Sequence, residues 1–361
     1  MTELYQFKYK DMEFSKNGQL DELIALDRYA VQVYDGYKIG DTVVFTFFNE
    51  EKGFDEKRVG EIVAEIDNDL FKVRDRFGEV HEVKKESMHK PLETKPYQLW
   101  ERWAKGGASV EKTEELRKWF ENELRWLFDG YRYSLGGRIQ LMLGQEFVTG
   151  KKANLTAYNC FVLKTPRSKD KPLDQFLEVI NVAYYEASIM RRGGGVGLNI
   201  SQIKTVNGSG AKSSDFIFYL DEQHPDYQEL QDRIKLGKFK GVTVVTNKND
   251  FNNLVKEKNA HVITGIDSVD GLFSNLKEMV KFSYNGKAVA INFTPLRKRN
   301  AIVKGVNGRS SGAVSWAELF VLIANLLQQK TIDNVEFAEI FSDIVHLIIQ
   351  GWEQPLMPVM A

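Results

Sequence analysis

The sequence predicts an α/β protein preceded by a small β-rich module. Residues 31 to 95 carry short runs of β-forming residues between turn residues, which is typical of a small β-barrel. Further along, a strand, a long helix, a glycine-rich turn and another strand follow one another, as in an α/β unit. The chain has 361 residues, 43% of them hydrophobic, so it can bury the cores of two or three domains.

The predicted N-terminal module comprises residues 1 to 95 and contains a barrel of SH3-like size. Its basic residues, Lys72 and Arg74 among them, are balanced by nearby acids. We interpret it as an added docking or nucleic-acid module. Its β-rich runs are Thr42–Phe48, Val59–Ile66, Leu70–Arg74 and Glu79–Val83.

A helical region and the first strands of the main domain are predicted within residues 96 to 203. Apolar residues recur at helical spacing between residues 97 and 129, and we expect the tryptophans among them in the core. A strand over Leu155–Leu163 and a helix over Leu173–Met190 follow.

The glycine cluster Gly193–Gly197 lies where this helix turns into the next strand. Without Cβ atoms, such glycines either form a tight turn or let a ligand approach the backbone. The cluster matches neither the phosphate-binding loop nor the dinucleotide fingerprint, so both interpretations stay open.

Residues 204 to 288 are predicted as an insertion, after which the main domain continues over residues 289 to 350. The continuation contains a glycine- and serine-rich segment in which Lys304 and Arg309 can meet phosphate, although such a segment is also typical of a flexible surface loop. Two apolar helices follow. Residues 351 to 361, with two prolines, are predicted to form an aberrant tail.

Composition excludes several functional classes. The formal net charge of -1 gives no global attraction to nucleic acid or anionic lipid. No apolar stretch approaches the roughly 20 residues of a membrane span, and the N-terminus lacks the build of a signal peptide, so we expect a cytoplasmic protein. The five histidines are scattered and there is one cysteine, so we expect no metal.

The single cysteine, Cys160, lies in an apolar stretch, where a cysteine is usually a small buried hydrophobe with an inert thiol. The order of the surrounding motifs favours a redox role instead. A Ser-x-x-Gly-Arg loop at Ser134, a strand bearing Asn159 and Cys160, the glycine cluster and the segment Gly305–Ala313 follow in that order. Together they resemble the large subunit of ribonucleotide reductases, over roughly residues 96 to 203 and 288 to 350.

The resemblance implies a fold and a set of site residues. In this family the strand matching Cys160 belongs to a ten-stranded α/β barrel, and its cysteine is one of two thiols that reduce the substrate ribose by forming a disulfide. The resemblance further implies that Ser134 contacts the substrate phosphate and that Asn159 lies beside the ribose. Gly194 and Gly195 are implied to let the backbone touch the nucleotide.

The predicted insertion is similar in placement to that of the monomeric, adenosylcobalamin-dependent (class II) triphosphate reductases. In those enzymes the inserted segment holds a deoxynucleotide effector. The resemblance therefore implies adenosylcobalamin as cofactor, a ribonucleotide as substrate and a thioredoxin-like reductant as partner.

The family mechanism also needs a third cysteine, a glutamate, a second redox thiol and cobalamin contacts, which we expect downstream of this chain. The sequence thus predicts the N-terminal part of a reductase, inactive without a C-terminal part that a separate chain could supply. Two alternatives stay open. One is a non-catalytic fragment that keeps effector binding, and the other is a nucleic-acid-binding protein that acts through its N-terminal barrel.

Overall fold

A computed structural model describes residues 4–14, 20–152, 155–164, 166–167, 169–203, 205–207, 215–303, 308–329 and 331–352. The chain divides into two compact units, Met1–Tyr158 and Asn159–Ala361. No helix among the described residues is long and apolar enough to cross a membrane. Of the predicted tail, residues 351 and 352 continue the last helix, and residues 353–361 lie outside the described residues.

The first unit contains a six-stranded antiparallel sheet, preceded by helix α1 (Leu20–Ile24) and a π-helical turn (Ala25–Tyr29). The strands are β1 Gln32–Val33, β2 Thr42–Asn49, β3 Phe54–Glu65, β4 Leu70–Asp75, β5 Val80–Lys84 and β6 Met88–Pro91. Their order in the sheet is β1-β6-β2-β3-β4-β5. The centre of β2 is buried on both faces, because Val43 and Phe45 join one core and Val44 joins another.

The sheet differs from the predicted module in two respects. The sequence predicts a turn over residues 49 to 55, but β3 already begins at Phe54, which pairs with Asn49. The side chains that follow Phe54 are charged, so the start of this strand shows no hydrophobic pattern in the sequence. Its pairing depends on backbone hydrogen bonds instead. In the described residues the sheet ends at β1 and β5, so closure into a barrel is not seen.

Helices complete the first unit, as predicted for residues 97 to 129. Thr113 is the N-cap of the helix that begins at Glu114, and its Oγ1 accepts a hydrogen bond from the N–H of Leu116 at 3.2 Å. The four helices are α2 Pro96–Ala108, α3 Glu114–Phe128, α4 Gly137–Met142 and α5 Glu146–Thr149.

The tryptophans of this region divide between core and surface. Trp100 and Trp103 of α2 are fully buried, as expected. Trp119 and Trp126 of α3 are 61% and 49% exposed, which contradicts the expectation of core packing. These two lie seven residues apart and share one helix face, which points away from the core that Phe128 enters.

The second unit opens with a strand, a helix and a strand, as the glycine pattern predicts. The elements are β7 Cys160–Leu163, α6 Pro172–Met190 and β8 Gly195–Leu198. Strands β7 and β8 pair in parallel, with Cys160 opposite Gly195. The predicted strand over residues 155 to 163 is thus realised only in its last four residues.

A four-stranded parallel sheet forms the centre of the second unit, in the order β11-β10-β13-β12. Its elements are β10 Phe216–Tyr219, α7 Tyr227–Lys235, β11 Thr243–Val245, α8 Lys248–Glu257, β12 His261–Thr264, α9 Val269–Tyr284 and β13 Val289–Asn292, and β9 Val206–Asn207 precedes them. All four residues of β10 are buried, as in a sheet covered on both faces. Strand β13 follows the predicted insertion, yet it pairs with β10 and β12 inside it, so the sheet crosses residue 288.

The remaining elements follow this sheet in the chain. They are the hairpin β14 Ile302–Val303 with β15 Gly308–Arg309, helix α10 Gly312–Gln328, β16 Thr331–Ile332 and helix α11 Asn334–Trp352. Strand β16 pairs with β9. Phe320 of α10 and Phe337 of α11 join Phe176 of α6 in one large core.

Candidate active site

The thiol of Cys160 lies on an exposed face of the β7–β8 pair. Alternation along both strands puts Cys160, Val162, Gly195 and Gly197 on this face, and Val162 is 91% exposed. The opposite face carries larger, partly buried side chains such as Phe161. Cys160 is therefore not the buried, inert thiol that its apolar neighbours alone would favour.

Gly195 lies opposite Cys160 and adds no side chain to this face. Its N–H donates to the carbonyl of Asn159 at 2.7 Å, which joins the strands just before the thiol. A Cβ at position 195 would lie 3.3 Å from that carbonyl. The Asn159 side chain is exposed. The predicted residues Asn159, Cys160 and Gly195 thus meet at one end of the strand pair.

Gly194 has a packing role that the sequence did not reveal. It is buried, and a Cβ there would lie 2.7 Å from Ile189 Cγ2 and 2.8 Å from Phe161 Cε2. Gly193, before it, has a φ of +80°, which favours glycine. Tight packing beneath the strands therefore explains the glycine at 194 whether or not a nucleotide approaches it.

Ser134 belongs to the first unit, in an exposed loop ahead of α4. Its Oγ accepts a hydrogen bond from Nε2 of Gln140 at 3.1 Å. The same Nε2 donates to the carbonyl of Leu135 at 2.6 Å. The structure therefore brings four of the five predicted site residues together in the second unit and gives Ser134 a separate, well-defined setting in the first.

A buried arginine anchors the helix behind Ser134. Arg102 of α2 is 2% exposed and pairs with Glu93. It also donates to the carbonyls of Gln140, at 3.0 Å, and Tyr29, at 2.7 Å, and the indole of Trp103 donates to the same Gln140 carbonyl at 2.8 Å. Burial raises the pKa of Glu93 even though Arg102 lies beside it. Pattern reasoning missed this pair, because its members lie on different elements.

The glycine- and serine-rich segment is only partly described. Lys304 lies outside the described residues, as do residues 305–307. Arg309 lies in β15, where its guanidinium donates to the carbonyl of Asn300 at 3.2 Å. At the first residue of α10, Gly312 has a φ of +89°, and a Cβ there would lie 2.8 Å from an oxygen of Asp226. A buried carboxylate therefore already occupies the start of α10.

A charged cluster in the first unit escaped the sequence interpretation. Ligand-type atoms of Asp75, Glu79 and His81 lie within 4.8 Å of one another. The guanidinium of Arg58 bonds to Asp75 and to Glu79, each at 2.5 Å. Because Arg58 already supplies the positive charge, the cluster is a satisfied ion-pair network and offers a poor site for a metal ion.

Glu186 of α6 is a further residue that sequence reasoning missed. It is 4% exposed, and its Oε2 has no hydrogen-bond partner among the described residues. Burial raises the pKa of this carboxyl to about 7. A signal was available, since Glu186 stands on the same helix face as Val182 and Met190 in an otherwise apolar stretch.

Comparison with known proteins supports the fold. No family model and no curated protein matches the sequence. One matching solved structure is the crystal structure of a B12-dependent (class II) ribonucleotide reductase, with a TM-score of 0.53 and 16% sequence identity. The likeness covers 92% of this chain and 40% of that one. The chain therefore has the fold of part of a B12-dependent class II ribonucleotide reductase, and the motif order around Cys160 resembles the ribonucleotide reductases as a family.

Proposed function

We propose that this chain is the N-terminal, thiol-bearing part of a ribonucleotide reductase that converts ribonucleoside triphosphates to deoxyribonucleotides. One observation carries the proposal. In a chain with the fold of such an enzyme, Cys160 lies on an exposed strand face, opposite a glycine that leaves room for a ligand.

The proposed role of Cys160 is to reduce the substrate ribose together with a second thiol. The C2′–OH bond breaks, the oxygen leaves as water, and a hydrogen takes its place on C2′. The two thiols lose two hydrogens and become a disulfide, so atoms and electrons balance. The second thiol comes from outside this chain, which has one cysteine. A thioredoxin-like dithiol then restores both thiols.

The other predicted residues are proposed to bind the nucleotide. Asn159 offers an exposed amide to the ribose, and the absence of Cβ atoms at Gly194 and Gly195 is proposed to let the backbone touch the nucleotide. Ser134 offers its hydroxyl to the substrate phosphate. The segment over residues 204 to 288 is proposed to hold a deoxynucleotide effector.

Adenosylcobalamin is proposed as the cofactor of the complete enzyme, since the solved reductase is B12-dependent. When bound, it supplies the radical that starts the reaction. The cavity beside Asp215, Thr243 and Lys258 encloses about 270 Å³, only a fraction of the volume of a corrin. That cavity is too small for the cofactor, so none of its lining residues is assigned a cobalamin contact. We propose that the cobalamin site lies on the C-terminal part of the enzyme.

Reconstitution tests the proposed function. The chain is mixed with the C-terminal part of a class II reductase, adenosylcobalamin, a dithiol and a ribonucleoside triphosphate, and deoxynucleotide is measured by chromatography. We expect turnover with the wild-type chain and none with Cys160→Ser. Glu115→Gln, an exposed substitution on α3, should leave the rate unchanged.

Two results would contradict the proposal. One is undiminished turnover by Cys160→Ser. The other is the absence of turnover by the wild-type chain. If turnover is absent but calorimetry detects deoxynucleotide binding, the chain is a non-catalytic effector-binding fragment. A salt-dependent shift of an oligonucleotide would instead support a nucleic-acid-binding protein.

A further inference from the structure

Within the part of the chain that the structure describes, the Ser134 hydroxyl accepts a hydrogen bond from one buried amide, that of Gln140. Nε2 of Gln140 lies 3.1 Å from Ser134 Oγ and 2.6 Å from the carbonyl oxygen of Leu135. Gln140 is 8% exposed, whereas Ser134 is exposed. The exposed Ser134 hydroxyl is thus hydrogen-bonded to the side chain of a buried residue.

The Leu135 carbonyl fixes the orientation of the Gln140 amide. A carbonyl oxygen can only accept, so the amide nitrogen has to face it. The two Nε2 hydrogens are then directed to Leu135 O and to Ser134 Oγ. The Ser134 oxygen acts as the acceptor in its bond with Gln140, which leaves its own hydrogen to donate to another group.

We propose that Gln140 is a positioning residue that presents the Ser134 hydroxyl as a hydrogen-bond donor to the phosphate of a nucleotide. An ionised phosphate oxygen accepts hydrogen bonds, so it complements a hydroxyl whose hydrogen is available. This inference rests on the proposed function, in which Ser134 contacts the substrate phosphate. It adds the residue that makes the Ser134 hydroxyl the hydrogen-bond donor in that contact.

The support is rigid because the main chain of Gln140 is itself anchored. Its carbonyl accepts from Arg102 Nη1 at 3.0 Å and from Trp103 Nε1 at 2.8 Å, and both side chains are buried. These bonds use the main chain, so they survive a change of the Gln140 side chain. A hydroxyl held in advance loses less freedom when the ligand binds.

Side-chain variants of the full chain separate positioning from general stability. Gln140→Met keeps the length of the side chain, and the Gln140 carbonyl can still accept from Arg102 and Trp103. It removes the amide that donates to Ser134. Gln145→Met is the matched control, since Gln145 is equally buried and its Nε2 donates to the carbonyl of Leu141 at 2.9 Å. Ser134→Ala removes the hydroxyl itself.

Calorimetry with ribonucleoside triphosphates and with the parent nucleosides gives the readout. We expect Ser134→Ala to raise the Kd for triphosphate about tenfold, as for a lost bond to a charged group. Gln140→Met should raise it about threefold or more, and the double variant should match Ser134→Ala alone. Nucleoside affinity should stay unchanged in all variants, and Gln145→Met should bind like the wild type.

The outcomes distinguish the two claims. A loss of triphosphate affinity in Ser134→Ala but not in Gln140→Met overturns the positioning role and leaves the proposed function intact. An equal loss in Gln145→Met also overturns it. If the wild-type chain binds no triphosphate, the proposed phosphate contact fails, and the positioning role fails with it.

Nuclear magnetic resonance tests the hydrogen bond without a nucleotide. In a chain with ¹⁵N-labelled glutamine, Ser134→Ala should shift a side-chain amide proton of Gln140 and leave that of Gln145 in place. An unshifted Gln140 resonance would contradict the geometry itself.

Discussion

Glu186 shows how burial sets the chemistry of a side chain. Its carboxyl lies inside the second unit, and burial raises its pKa from an ordinary 4.5 to about 7. Between these two pH values the folded chain holds a proton that the unfolded chain has lost. The unfolding free energy therefore falls as the pH rises from 4.5 through 7, and this contribution is fully present only below 4.5.

Replacing Glu186 by glutamine should remove this dependence. We expect Glu186→Gln to match the wild type near pH 5 and to exceed its unfolding free energy by up to about 3 kcal/mol at pH 8, because glutamine never ionises. Urea unfolding followed by circular dichroism at both pH values measures the difference. Asp174→Asn, which changes an exposed acid of the same helix, controls for the lost charge. A gain that is equal at pH 5 and pH 8 would contradict the prediction.

At the scale of single residues, the sequence identified the candidate functional residues better than it identified the burial and contacts of their side chains. The motif order selected Cys160 and Asn159, and the structure brings them to one end of a strand pair. The apolar neighbours of Cys160 still suggested burial, because exposure depends on which strand face its side chain occupies. The bond from Gln140 to Ser134 could not be predicted either, because it depends on how the loop before α4 folds back on the helix. The burial of Glu186, in contrast, was indicated by its apolar helix face but was overlooked.

The glycines of the β7–β8 pair differ in what they contribute to packing. A methyl group at Gly194 would press on Ile189 and Phe161, whereas at Gly197 the nearest atom would lie 3.8 Å away. We expect Gly194→Ala to lower the unfolding free energy by about 1 to 3 kcal/mol through overpacking. Gly197→Ala should lower the unfolding free energy by clearly less. Thermal unfolding of both variants tests this, and equal losses would contradict the packing role.

Asp226 ties two elements of the second unit together. It is 6% exposed, and its carboxylate accepts from the N–H of Arg299 at 2.9 Å and from that of Ala313, in the first turn of α10, at 2.9 Å. The carboxylate satisfies backbone donors that would otherwise lack partners, and it complements the dipole of α10.

Substitution of Asp226 should therefore destabilise the second unit. Asp226→Asn faces these donors with an amide nitrogen at one position, so we expect a loss of about 1 to 3 kcal/mol in unfolding free energy. Asp232→Asn, an exposed change on α7, should cost less than about 1 kcal/mol. Chemical denaturation compares the two variants, and a stability of Asp226→Asn equal to that of the wild type would show that the cap is dispensable.

At the scale of elements, local sequence patterns predicted which helices and strands form better than they predicted where each one begins and ends. Helices α3 and α6 follow from their apolar spacing, and the glycine cluster marks the turn into β8. The start of β3 and the inclusion of β13 in the central sheet depend on pairing with other strands. Such partners leave no trace in the residues of the strand itself.

At the scale of the whole molecule, the chain has the fold of part of an enzyme of the family that its motif order resembles. The likeness to the solved reductase covers 92% of this chain at 16% identity, so it supports the fold independently of close sequence similarity. The chain spans 40% of the length of that structure.

The alkylation rate of Cys160 tests most directly whether this thiol belongs to a nucleotide site. The chain has one cysteine, so mass spectrometry after treatment with iodoacetamide reports on that thiol alone. The account predicts rapid alkylation of the folded chain and a rate at least severalfold slower with saturating ribonucleoside triphosphate, but not with inorganic phosphate. An alkylation rate that is the same with and without the nucleotide would contradict it.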